Sequence, residues 1–168
     1  RTHGVAVVNV PAYSTESVAL FTFATVLSLM THLSEYRAYV ADGRYTASGV
    51  PNLLSPAYHE LAGKTWGIVG CGNIGGRVAA IAEAFGAKVI VNRRREDPRF
   101  CCVDIETLCR ESDILTLHCP LNEGTRHLLN AERIGMMKRS AILVNEARGA
   151  VVDSEAVACA IEEGRLGA

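Results

Sequence analysis

Three glycines in Gly70-Cys71-Gly72-Asn73-Ile74-Gly75 stand where a strand-like segment meets a helix-like one, and no other part of the chain constrains its fold as much. Upstream, Thr65-Trp66-Gly67-Ile68-Val69 is an apolar run of strand length. Downstream, residues 74–85 carry apolar side chains at helical spacing. In such a junction the first glycine permits the tight turn, the second lets a backbone approach a pyrophosphate, and the third lets helix and strand pack closely. Amides left unpaired at the helix start then face the phosphates. Glycines also serve strand-to-helix turns that bind nothing, but the strand before and the helix after favour a dinucleotide site. Its expected contacts are Gly70, Gly72, Asn73, Ile74 and Gly75.

From Leu61 onward the pattern is strand and helix in alternation. Strands are predicted at 65–69, 88–92, 113–118 and 141–145, and helices near 74–85, 104–110, 124–137 and 153–163. This spacing predicts an α/β fold with a doubly wound parallel sheet, the Rossmann arrangement, whose ligands bind beyond the carboxyl ends of the strands. Before it, residues 15–41 read as one long helix, with Ser14 or Thr15 as cap, Glu16 in the first turn and Gly43 as terminator. Apolar residues surround its first half, which predicts burial between domains or subunits. The apolar stretch 18–30 is too short to span a bilayer. Val5-Ala6-Val7-Val8 looks strand-like, and residues 43–60, with Gly49, Pro51 and Pro56, look irregular.

The strand ends carry the candidate chemistry. The second strand ends in Asn92 and runs into Arg93-Arg94-Arg95, where a carboxylate commonly accepts hydrogen bonds from the ribose hydroxyls of NAD. A guanidinium cannot accept those bonds, but it pairs in bidentate fashion with a 2′-phosphate. Asn92, Arg93 and Arg94 are therefore candidate ribose-side contacts, and NADP(H) is favoured, with NAD(H) possible. The competing reading is a solvated turn partly neutralised by Glu96 and Asp97. The third strand ends at His118-Cys119-Pro120 and the fourth at Asn145-Glu146-Ala147-Arg148-Gly149. Arg148 can present its fork to a carboxylate, although on position alone a surface or capping role is as well supported. A histidine at a strand end, like His118, is more often a structural residue than a proton donor.

With 168 residues, 49% of them hydrophobic, the chain is the size of one folded domain. A net charge of −1 gives no general electrostatic reason to bind nucleic acid or an anionic membrane, and neither partner is expected. The six cysteines, at 71, 101, 102, 109, 119 and 159, form no CxxC pair and no Cys/His metal spacing, so no metal is expected. With no secretory signal in view, they fit reduced thiols in a cytoplasmic protein.

Together these stretches resemble the D-isomer-specific 2-hydroxyacid dehydrogenase family. Residues 9–19 are similar to the family's lead into a long interdomain helix, Leu61-Ala62-Gly63-Lys64-Thr65 to its approach to the fingerprint, and residues 112–121 and 145–153 to its two later signatures. The resemblance implies the NAD(P)-binding domain of a two-domain dehydrogenase, which moves a hydride between the nicotinamide and C2 of a small 2-oxo acid to give a D-2-hydroxy acid. Arg93 in place of the common aspartate is similar to the NADPH-preferring glyoxylate and hydroxypyruvate reductases. Arg148 is implied as the catalytic arginine, which binds the substrate carboxylate and polarises its keto oxygen. His118, Cys119 and Pro120 are implied to border the cofactor, with Glu146 and Ala147 beside them.

The resemblance also implies an organisation. Residues 1–12 are expected to lead out of a substrate domain, 13–60 to form the interdomain and dimerisation helix with its connection, and 61–168 to form the Rossmann domain. The family's catalytic histidine and its orienting glutamate are expected beyond Ala168, so these residues alone should bind nucleotide without turnover. A homodimer is expected through the long helix, with Tyr36, Tyr39 and Tyr45 beyond its first half. Two departures stand out. Leu20 replaces a usual Glu or Gln, and Glu146 brings a carboxylate near Arg148 that is able to compete with substrate. The same fold and motifs also occur in nucleotide-sensing corepressors, the C-terminal binding proteins, but no recruitment segment is visible. Adenosylhomocysteine hydrolysis is disfavoured by the 145–153 signature.

Overall fold

The computed structural model describes residues 3–53 and 55–168, so Leu54 in the connection and the first two residues of the 1–12 segment lie outside it. Its centre is an all-parallel sheet of β1 (Thr65–Val69), β2 (Lys88–Asn92), β3 (Cys101–Cys102), β4 (Ile114–Leu117) and β5 (Ile142–Asn145), in the order β3-β2-β1-β4-β5. The chain winds outward one way from β1 to β3 and the other way from β4 to β5. The predicted doubly wound α/β fold is therefore present, with its topological switch point between β1 and β4.

Helices cover both faces, α1 (Thr15–Met30) and α4 (Asn73–Ala84) on one and α5 (Ile105–Glu111), α6 (Ala131–Gly135) and α7 (Ser154–Glu162) on the other, while α2 (Leu33–Ala41) and α3 (Arg44–Ser48) bury no residue. Successive strand side chains point to opposite faces, so the strands feed two separate cores. Ile68, Val91, Ile114 and Val144 pack with Ala19, Phe23 and Val26 of α1 and with Val78, Ala79 and Ala82 of α4. Val69, Leu115 and Leu117 pack with Leu108 of α5, Ile134 of α6 and Ala160 of α7. Trp66 is fully buried; its ring lies 4.7 Å from that of Phe23, and its indole N–H donates to the Thr116 hydroxyl at 3.0 Å. Along Ala19 to Val26, α1 is thus part of the Rossmann core. Arg77 of α4 ties its first turn down through Glu16 at 3.0 Å.

Four local expectations are corrected. Residues 15–41 are not one helix: the chain breaks after Met30 and α2 leaves at 64° to α1. His32 adopts a left-handed conformation (φ 50°), and the Thr31 hydroxyl donates to the Leu27 carbonyl at 2.7 Å, a local bond that competes with continued helix. Gly43, also left-handed, does follow the end of α2 as a terminator. Within the predicted helix 124–137 only α6 is α-helical. Ahead of it the Thr125 hydroxyl donates to the Pro120 carbonyl at 2.6 Å, His127 is left-handed, and Leu129 bridges to Val152. The helix starts only where the Asn130 side chain accepts from the Arg133 amide at 3.0 Å. Val5, Val7 and Val8 belong to no strand and stand exposed. Finally, the connection 43–60 contains the short helix α3, and the two-residue edge strand β3 went unpredicted because a Cys-Cys pair after a turn carries no periodic signal.

Candidate active site

Register brings the candidate residues to one edge. Val69 is level with Asn92 on one side and with Leu117 on the other, and Leu117 is level with Asn145. The next residues, Gly70, Arg93, His118 and Glu146, therefore follow in one row along the carboxyl edge of four parallel strands. Gly70 sits at the centre of that row, with its amide donating to the Asn92 carbonyl at 2.9 Å and the His118 amide donating to the Val69 carbonyl at 2.8 Å.

The three fingerprint glycines meet three different surroundings. Gly70 has a left-handed φ of 85°, and a Cβ there would sit 2.8 Å from the backbone of Cys119. A Cβ on Gly75 would overlap the Gly70 carbonyl oxygen and lie 3.2 Å from the Ile68 side chain. Gly72, which precedes α4, has nothing within 4 Å of its Cβ position. Two of the glycines are thus required by packing, while the third leaves an open face at the start of a twelve-residue helix that has no side-chain cap. The residues present fit a dinucleotide: a backbone cradle open at Gly72, with the first amides of α4, including those of Asn73 and Ile74, available for a pyrophosphate.

Beyond β2 the side chains are already engaged. The Asn92 amide donates to the Val103 carbonyl at 2.9 Å, so it braces the sheet edge. Arg93 is half-buried and donates from Nη1 to Asp97 Oδ2 at 2.7 Å, while Arg94 is exposed. Arg99 grips the same carboxylate through Nε at 3.0 Å and Nη2 at 2.7 Å. Hydrogen bonds from the Arg99 side chain and amide, with that from Arg93, hold Asp97 well below the usual carboxylate range. Sequence alone marked Asp97 only as a partial neutraliser; its contact with Arg93 Nη1 depends on the turn that follows β2.

Both ring nitrogens of His118 are buried without a hydrogen-bond partner among the described residues, and burial pushes its pKa from 6.5 down to about 4. Between those values the unfolded chain binds a proton that the folded chain does not. Stability from the neutral ring is therefore full above about pH 6.5 and is lost as pH falls towards 4. Unfolding measured in denaturant at pH 7.5 and pH 5 should differ by about 2 kcal/mol from this group, and His118→Asn should remove most of that difference. An unchanged pH dependence in the variant would rule the assignment out. Cys119 beside it is buried, which raises its thiol pKa, and Pro120 is exposed.

At the end of β5 the Asn145 side chain builds a compact turn. It accepts from the Ala147 amide at 3.0 Å and donates to the Arg148 carbonyl at 2.9 Å. Arg148 itself is exposed, in extended conformation, immediately before the 3-10 turn Gly149–Val151. Its guanidinium donates to the Ala147 carbonyl at 2.9 Å, whereas Glu146 is half-buried with its pKa raised by desolvation. Among the described residues Arg148 forms no ion pair with Glu146. Asn145 is the residue that sequence reasoning left without a role. Its signal was an Asx residue two positions before the amide it receives.

Residues 23–168 match the family model described as D-isomer specific 2-hydroxyacid dehydrogenase, NAD binding domain. A glyoxylate reductase of Aeropyrum pernix is 40% identical over 174 residues, covering 98% of this chain and 51% of that protein. The structure of D-lactate dehydrogenase from Aquifex aeolicus complexed with NAD and lactic acid superposes with a TM-score of 0.86 at 34% identity, covering 99% of this chain and 50% of that one. An acyclic imino acid reductase (Bsp5) in complex with NADPH and D-Arg gives a TM-score of 0.84 at 32% identity, covering 94% and 50%. The chain spans about half the length of such relatives. It belongs to the D-isomer specific 2-hydroxyacid dehydrogenases, as an NAD-binding domain of that family.

Proposed function

We propose that the protein carrying this domain is a reductase that interconverts a small 2-oxo acid and the corresponding D-2-hydroxy acid, using NADP(H) in preference to NAD(H). The observation that carries this reading is the common edge: the open glycine cradle, Arg93 and Arg148 all follow the carboxyl ends of parallel strands of one sheet. When bound, the nicotinamide supplies the hydride. Gly70, Gly72, Asn73, Ile74 and Gly75 then hold the pyrophosphate, Asn92, Arg93 and Arg94 lie on the ribose side, and His118, Cys119, Pro120, Glu146 and Ala147 border the rest. Arg148 exchanges the Ala147 carbonyl for the substrate's carboxylate and keto oxygen, where its positive charge offsets the negative charge that grows on oxygen during reduction. The Asn145 turn fixes the backbone that aims it.

Support for the nucleotide preference comes from Arg93, and one relative's structure contains NADPH while another contains NAD. The full-length protein should oxidise NADPH with glyoxylate, hydroxypyruvate or phenylpyruvate, and no oxidation with any 2-oxo acid would end this reading. Arg93→Asp should shift the NADPH to NADH affinity ratio by about tenfold or more toward NADH, since it replaces a phosphate partner with a ribose acceptor. An unchanged ratio would remove Arg93 from the site.

We also infer that residues 1–12 lead out of a substrate domain, 13–60 form the dimerising arm and its connection, with the inner side of α1 packed into the Rossmann core, and 61–168 hold the nucleotide. Leu20 and Phe21 of α1 are exposed, as are Leu33 and Val40 of α2, an apolar surface that suits a second copy. A dimer by light scattering is the expected result for the full-length protein, and a monomer would refute it.

A further inference from the structure

We propose that Asp97 sets how strongly this site discriminates between the two nucleotides, by competing with the 2′-phosphate for Arg93. The inference rests on the reading of Arg93 as the 2′-phosphate ligand. Arg93 is not held ready by a neutral acceptor: its Nη1 donates at 2.7 Å to a carboxylate oxygen, and the two side chains are only 24% and 14% exposed. The same oxygen, Oδ2, also receives Arg99 Nη2 at 2.7 Å, while Oδ1 receives Arg99 Nε at 3.0 Å and the Arg99 amide at 3.1 Å. Asp97 thus stands where an anion bound to Arg93 would meet it, and a phosphate must either displace it or bind beside a like charge. Arg99, 77% exposed, moderates the conflict by neutralising part of that carboxylate.

This arrangement predicts changes of opposite sign. Asp97→Asn keeps an oxygen for the Arg99 amide but removes the charge, so NADPH should bind about fivefold tighter, with NADH affinity within about twofold of wild type. Arg99→Ala leaves the carboxylate to Arg93 alone, so NADPH should bind about threefold more weakly, again with little change for NADH. Fluorescence titration of the full-length protein with each nucleotide reads both. If the wild type binds NADPH no tighter than NADH and Arg93→Asp leaves the ratio unchanged, the reading of Arg93 itself is wrong. If the wild type prefers NADPH but Asp97→Asn leaves its affinity equal or weaker, or shifts both nucleotides together, the competition by Asp97 is overturned.

Discussion

Arg148→Ala is expected to lower kcat/KM for a 2-oxo acid by about a thousandfold while leaving NADPH affinity within about twofold, because in the proposed role the group it removes would hold the substrate's carboxylate and offset the charge that grows on its keto oxygen. The guanidinium lies past β5, in a turn held by the Asn145 side chain, and among the described residues its one hydrogen bond is to the neighbouring Ala147 carbonyl. That bond is weak competition for a carboxylate, which offers a charge-assisted bidentate contact. Glu146 is partly desolvated, and among the described residues it does not pair with Arg148. Arg148→Lys restores the charge without the fork and should recover only about tenfold of the loss. Steady-state kinetics with the full-length protein, paired with nucleotide titration, separate the two effects. A variant that kept near-normal kcat/KM would remove Arg148 from the chemistry, and one that lost NADPH affinity in proportion would make it a nucleotide contact.

The edge that gathers these candidate residues was legible in the sequence because each of its parts has a local cause. Gly70 to Gly75 sits between a strand and a helix, and Asp104 and Asp153 cap α5 and α7 by accepting from the Thr107 and Ala156 amides at 2.7 and 3.1 Å. Strand ends follow from apolar runs of fixed length, and parallel pairing then aligns them. What stayed hidden depends on alternatives that periodicity does not rank. Residues 15–41 keep a helical pattern across Thr31 and His32, yet the turn there bends the chain. The stretch after Pro120 has helix-forming residues, but Asn122 and Thr125 spend their side chains on the backbone and delay the helix to Asn130. Asp97 could be read as a nearby acid; that its carboxylate accepts from Arg93 Nη1 required the path of the turn between β2 and β3.

The second large effect separates packing from binding within the fingerprint itself. Gly75→Ala should destabilise the fold by about 3 kcal/mol, because its methyl would overlap the Gly70 carbonyl oxygen and crowd Ile68 where α4 meets β1. The strand-to-helix contact there is backbone against backbone, so no rotamer change relieves it. Gly70→Ala combines a left-handed backbone with a 2.8 Å approach to the Cys119 backbone and should cost at least as much. Gly72→Ala is different in kind: its Cβ points into open space, so unfolding free energy should change by less than about 1 kcal/mol. Yet that open space is where a pyrophosphate would approach the backbone, and a methyl there should weaken both NADPH and NADH by about tenfold or more. Denaturant unfolding and nucleotide titration of the three variants should therefore give one folded protein that binds poorly and two that unfold early. If Gly72→Ala bound both nucleotides normally, the face of the turn open at Gly72 would not be the phosphate seat, and the cradle would have to be sought on another part of the same edge.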